Sequence, residues 1–150
     1  MMGSTRDSRS PTSADTRLEG GPEGRVYTVP FARVWDELVN MVEQRRRWRM
    51  KHQDEELGII TVSCRTLLFR FVDDLTIWVT LDEDGLTRVE ALSQSRVGTR
   101  DLGANARRIT RLMTCLDDAV GSGNRLHDPR TPDQRAAESV PRSGDGASCA

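Results

Sequence analysis

The sequence predicts an α+β domain: an antiparallel sheet of about five strands with two helices packed on one face. Three observations carry that reading. Apolar residues recur at helical spacing twice, once near each end of the central region. Between those stretches the apolar pattern alternates as in strands and is broken by turn residues. The resulting order is strand, helix, strands, helix, and the 150 residues fit one domain.

"RVYTV" opens the domain as a short strand, and Pro30 suits the first turn of the helix after it. In that helix Phe31, Val34, Trp35, Leu38, Met41 and Val42 step by three and four. Arg45, Arg46 and Arg47 suit its last turn through the helix dipole. "WRMKHQDEELGIITVSC" reads as a hairpin that turns near Glu56, Leu57 and Gly58. Trp48, Met50 and His52 share one face of its first strand; Ile60, Val62 and Cys64 share one face of the return strand. Leu67, Phe69 and Phe71 carry the opposite parity, so a bulge or break is expected near Arg65 and Thr66.

Asp73 and Asp74 read as the next turn. Leu75, Ile77, Val79 and Leu81 then share a strand face, "DEDG" is a turn, and Val89 and Ala91 mark a last strand. The final helix carries Leu102, Ala106, Ile109, Met113, Leu116 and Val120, with Asp101 as N-cap and Gly121 as its stop. Residues 1–24 and 122–150 are rich in Ser, Thr, Gly, Pro and charge. They are expected to be disordered tails, leaving 25–121 as the domain.

The chain has 22 basic and 23 acidic residues. The basic excess that would favour nucleic acid is missing. The cluster from Arg45 to Lys51, interleaved with Trp48, would suit nucleic acid or lipid, but "DEE" follows at once. It reads as a solvated helix end. No run approaches the roughly 18 apolar residues of a membrane helix, and the N-terminus has no apolar export segment. No membrane span and a cytoplasmic location are expected. Cys64, Cys115 and Cys149 match no metal or redox spacing and read as free thiols. His52 and His127 are not spaced for a metal, and no nucleophile motif or glycine-rich phosphate loop is present. No cofactor or metal is expected.

The unusual chemistry sits in "LSQSRVGTRDLGANARRI". On a helical wheel Asn105 falls ~60° from Leu102 and ~40° from Ile109, inside the apolar stripe. A buried Asn needs hydrogen-bond partners, and Ser93, Ser95 and Arg96 lie on the strand end just before it. Two readings stay open. In one, Asp101 caps the helix, Asn105 ties it to the strand, and Arg96 or Arg108 pairs with Asp73 or Asp74. In the other, Arg96, Arg100 and Arg108 surround a helix N-terminus that binds a carboxylate or phosphate.

This stretch resembles the signature of the family known as domain of unknown function 1499, S-x-S-R-x-G-x-x-D-x-G-x-N-x-x-R-I. The matching positions are Ser93, Ser95, Arg96, Gly98, Asp101, Gly103, Asn105, Arg108 and Ile109. "FRFVDDLTIWV" and "FARVWDELVNMV" resemble two further stretches of the family. The resemblance runs from about Val26 to Leu116 and implies no activity.

The leading functional expectation is a non-enzymatic module that binds a small acidic or apolar ligand or a protein partner. An enzyme using Asp73 or Asp74 with arginines in one cleft is the first alternative. A structural adaptor is the second.

Overall fold

The fold is described from a computed structural model, for residues 13–17, 21–66, 71–96 and 103–126. Among these the elements are β1 (Ser13–Asp15), β2 (Arg25–Tyr27), α1 (Phe31–Glu43), β3 (Trp48–Asp54), β4 (Ile59–Arg65), β5 (Val72–Leu81), β6 (Thr87–Ser95), α2 (Ala104–Val120) and β7 (Arg125–Leu126). The class is α+β: one antiparallel sheet and two helices. Its order is β3-β4-β5-β6-β2-β7, and β1 also pairs with β6.

The sheet has seven strands rather than about five. The two additional strands lie outside 25–121. β1 pairs with β6 at Ser13↔Gln94, and β2 continues along the same strand at Arg25↔Val89. Together they make one broken strand alongside β6, which Thr16 extends by donating its N–H to the Ala91 carbonyl at 2.9 Å. Three-residue strands carry too short an alternation to be read from pattern.

One sheet face forms the core with the helices. Ile60, Val62, Leu75, Ile77, Val79, Val89 and Ala91 meet Val34, Leu38 and Val42 of α1 and Ile109, Leu112, Met113 and Leu116 of α2. Phe31 stacks on Trp35 with ring centroids 5.8 Å apart. Burying each such Leu or Ile contributes about 1.5–3 kcal/mol before entropy is counted.

Several local expectations need correction. α1 ends at Glu43, so Arg45, Arg46 and Arg47 follow the helix instead of closing it. The Arg45 carbonyl accepts the Trp48 N–H at 3.0 Å, which turns the chain into β3. A register shift between Met50 and His52 inserts Lys51 as a bulge. His52 therefore pairs with Thr61 and leaves the face of Met50. Asp73 and Asp74 lie inside β5, not in a turn. Gly103, with φ of 76°, holds the N-cap position of α2. Asp101 and Leu102 lie outside the described residues, as do Leu67 and Phe69. Cys115 is disulfide-bonded rather than free; Cys64 is free and buried.

The β3–β4 hairpin depends on Gly58. Its φ is +65°, and a Cβ there would fall 1.9 Å from the Val79 carbonyl oxygen. Its own carbonyl accepts the Val79 N–H at 2.8 Å, so the turn is pressed against β5. Gly85 in the "DEDG" turn has φ of +75° but open space around it. Gly58→Ala should cost about 3 kcal/mol or more, adding a backbone clash to left-handed strain. Gly85→Ala should cost only about 1 kcal/mol. Urea unfolding of both variants checks the contrast.

Candidate functional site

The strand ends of β5 and β6 and the first turns of α2 enclose a polar cluster. Sheet register sets its floor: Asp73 pairs with Ser95, and Leu75 pairs with Ser93. Alternation puts Asp73, Ser93 and Ser95 on the helix-covered face. Asn105 and Arg108, three residues apart, share the facing side of α2.

The Arg108 Nη2 donates to Asp73 Oδ2 at 2.5 Å. Its Nη1 donates to Ser93 Oγ at 2.8 Å and to Asn105 Oδ1 at 2.6 Å. Ser93 Oγ donates to Asn105 Oδ1 at 2.6 Å, and Asn105 Nδ2 donates to Ser95 Oγ at 3.0 Å. Asn105 and Ser93 are fully buried, and Asp73 is 2% exposed.

Arg96 and Asp74 belong to the other side of the sheet. Arg96 grips Asp74 with two hydrogen bonds, of 2.7 and 2.6 Å. Both side chains are well exposed, at 48% and 39%. The hydrogen bonds from Arg96 hold the Asp74 carboxyl below the usual carboxylate range. Asp73 and Asp74 thus point to opposite faces of β5. An acid–base pair in one cleft does not form from them. Gly98, Arg100 and Asp101 lie outside the described residues.

A second buried cluster escaped the sequence reading. Arg25 Nε donates to both Asp117 oxygens, at 3.0 and 2.9 Å, and the Tyr27 hydroxyl donates to Asp117 Oδ1 at 2.7 Å. Arg125 reaches Asp117 at 3.4 Å and Glu23 at 3.1 Å. A signal was available. Asp117 follows Met113 by four and precedes Val120 by three, so it interrupts the apolar stripe as Asn105 does. Burial, and then the Asp117 hydrogen bond, push the Tyr27 hydroxyl well above the usual tyrosine range. Burial also pushes the Cys64 thiol up to about 12, so it is a poor nucleophile. Among the described residues no helix is long and apolar enough to cross a membrane.

Asn105→Ala should lower stability by ~1–3 kcal/mol, because it leaves the buried Ser93, the half-buried Ser95 and Arg108 short of partners. Arg108→Ala should cost ~3–5 kcal/mol by stranding the Asp73 charge. Arg96→Ala should leave the melting temperature almost unchanged. Thermal unfolding ranks the three. A separate test uses pH. The raised Tyr27 pKa favours the neutral phenol in the folded state. Its stabilisation is complete below the unfolded value of about 10 and is lost as pH rises beyond it. Tyr27 is the only tyrosine, so phenolate absorbance should appear only as the protein unfolds in alkali. Tyr27→Phe should remove this component of the alkaline loss of stability.

No curated protein matches the sequence. The family model described as "Protein of unknown function (DUF1499)" matches residues 6–116. That span runs from before β1 into the last turns of α2 and takes in the whole Asp73–Ser93–Ser95–Asn105–Arg108 cluster. The chain belongs to the DUF1499 family.

Proposed function

We propose that the protein is a non-enzymatic binding module for a small acidic ligand, with the signature cluster acting as a structural joint. One observation carries this reading: the polar groups of the cluster are spent on one another. Asp73, Ser93 and Asn105 are buried, Arg108 is 12% exposed, and hydrogen bonds join them, whereas a catalytic group must reach its substrate. The placement of Asp73 and Asp74 on opposite faces of β5 speaks against the two working as an acid–base pair. Several arginines outside the cluster have no carboxylate partner among the described residues, which favours an acidic ligand.

The test is a thermal-shift screen of small carboxylates and phosphates on the full chain. At least one acid should raise the melting temperature by about 2 °C or more, as binding to the native state requires. Mass spectrometry should recover that acid unchanged after hours of incubation. Consumption of the acid would replace the binding reading with an enzymatic one. No stabilisation by any acid would remove it.

A further inference from the structure

The sheet leaves one long edge with no strand beside it. β3, seven residues long, ends the strand order and pairs only with β4 among the described residues. The opposite side closes with β7, of two residues, and β1, of three. On β3 Arg49, Lys51, His52 and Gln53 are exposed.

Hydrogen bonds fix which main-chain groups of β3 face outward. The Gly58 carbonyl accepts the Val79 N–H, so Gly58 points toward β5. By alternation Ile60 and Val62 do the same, whereas Ile59, Thr61 and Ser63 point toward β3. Their partners there are Asp54, His52 and Arg49. Met50 and Gln53 stand opposite Val62 and Ile60, so their own N–H and C=O groups point away from the sheet. Trp48 follows the same parity: its N–H turns to the Arg45 carbonyl at 3.0 Å instead of joining β4. Val62 and Ile60 are alternate residues of β4. The bulge at Lys51 therefore keeps Met50 and Gln53 at the spacing of alternate residues along the open edge.

Charged residues on an edge usually guard it against pairing. On β3 they are sorted by sign instead. Arg49 and Lys51 lie before the middle of the strand; Asp54 ends it, and Glu55 and Glu56 follow. Arg49 and Asp54 share the face away from the helices, because they pair with Ser63 and Ile59, which alternate with the buried Ile60 and Val62. Neither has an ion pair among the described residues. Roughly 15 Å of strand separates them, too far for the two to meet within one chain.

We infer that β3 pairs antiparallel with β3 of a second copy, continuing the sheet across a two-fold axis between Lys51 and His52. Met50 then exchanges main-chain hydrogen bonds with the partner's Gln53, and Gln53 with the partner's Met50. Arg49 falls directly opposite the partner's Asp54, and Asp54 opposite the partner's Arg49. A single register satisfies the outward main-chain groups and both charge pairs. This surface does not depend on the ligand-binding reading.

The experiment is sedimentation equilibrium of the full chain over a range of concentrations. The wild type should pass from monomer to dimer at high micromolar concentrations, as suits a small interface. Arg49→Asp and Asp54→Arg should each weaken the dimer at least about tenfold, because each sets like charges opposite one another twice. An equal mixture of the two folded variants should associate about as well as the wild type, since every charge again meets its opposite. Gln53→Pro removes an outward N–H that β4 does not use. It should leave the melting temperature almost unchanged and abolish the dimer, and it tests the edge even if Asp54→Arg disturbs the turn in which Asp54 accepts the Leu57 N–H. A monomer at every concentration up to about 1 mM overturns the inference. So does a dimer that survives both Arg49→Asp and Gln53→Pro, which places the contact on another surface. Failure of the mixed variants to associate overturns the register. Hydrogen exchange at the Met50 and Gln53 amides should slow as the dimer forms. Slow exchange at both in the monomer would assign the edge to another segment of the same chain and overturn the second copy.

Discussion

The buried ion pair between Arg108 and Asp73 is the constraint from which the rest of the structure follows. Removing two charges from water costs several kcal/mol each, and their attraction does no more than offset this when the geometry is good. The pair therefore adds little net stability. Its effect is on specificity. A slip of β5 by one residue would turn Asp73 to the open face and leave Arg108 buried without a counter-charge. Ser93 and Asn105 extend the same constraint to β6 and to the rotation of α2, because their hydrogen bonds require one register and one helix phase.

α2 is held in this way twice. Near its start Arg108 reaches Asp73; near its end Asp117 receives Arg25 and Tyr27 from β2. Between these polar pins lie Ile109, Leu112, Met113 and Leu116, all fully buried. α1 has no such pins, and its buried face is apolar throughout. The two helices thus do different work. Packing alone positions α1, whereas α2 is also fixed in register along the sheet.

Legibility from sequence follows the same division. Both helices and the long strands could be read because apolar spacing reports burial directly. Asn105 could be singled out because its polarity conflicts with its place in the stripe. The same conflict stands at Asp117, but its partners Arg25 and Tyr27 lie 92 and 90 residues away, so no neighbouring stretch supplies them as Ser93 and Ser95 are supplied to Asn105. Asp73 and Asp74 were misread because adjacent aspartates normally break strands. Only the arginine from α2 makes a buried Asp73 tolerable, and that partner is 35 residues away. The Lys51 bulge and the short strands β1 and β7 depend on tertiary pairing that no local pattern encodes.

Arginine stands in two different settings in this small fold. At the joint Arg108 meets Asp73, and both side chains are largely buried. At the same end of the sheet, where α1 runs into β3, Arg45 has no ion pair among the described residues. Chance scatter of charge on a nearly neutral chain tends to pair such groups, because Coulomb attraction rewards any carboxylate within reach. Glu43 closes α1 two residues before Arg45, yet no ion pair joins them. Trp48 instead holds the guanidinium by its face, a contact that fixes position without neutralising charge. A cation held in place but left unneutralised adds little stability, so the arginine at the joint fixes the fold whereas the one at the α1–β3 turn does not.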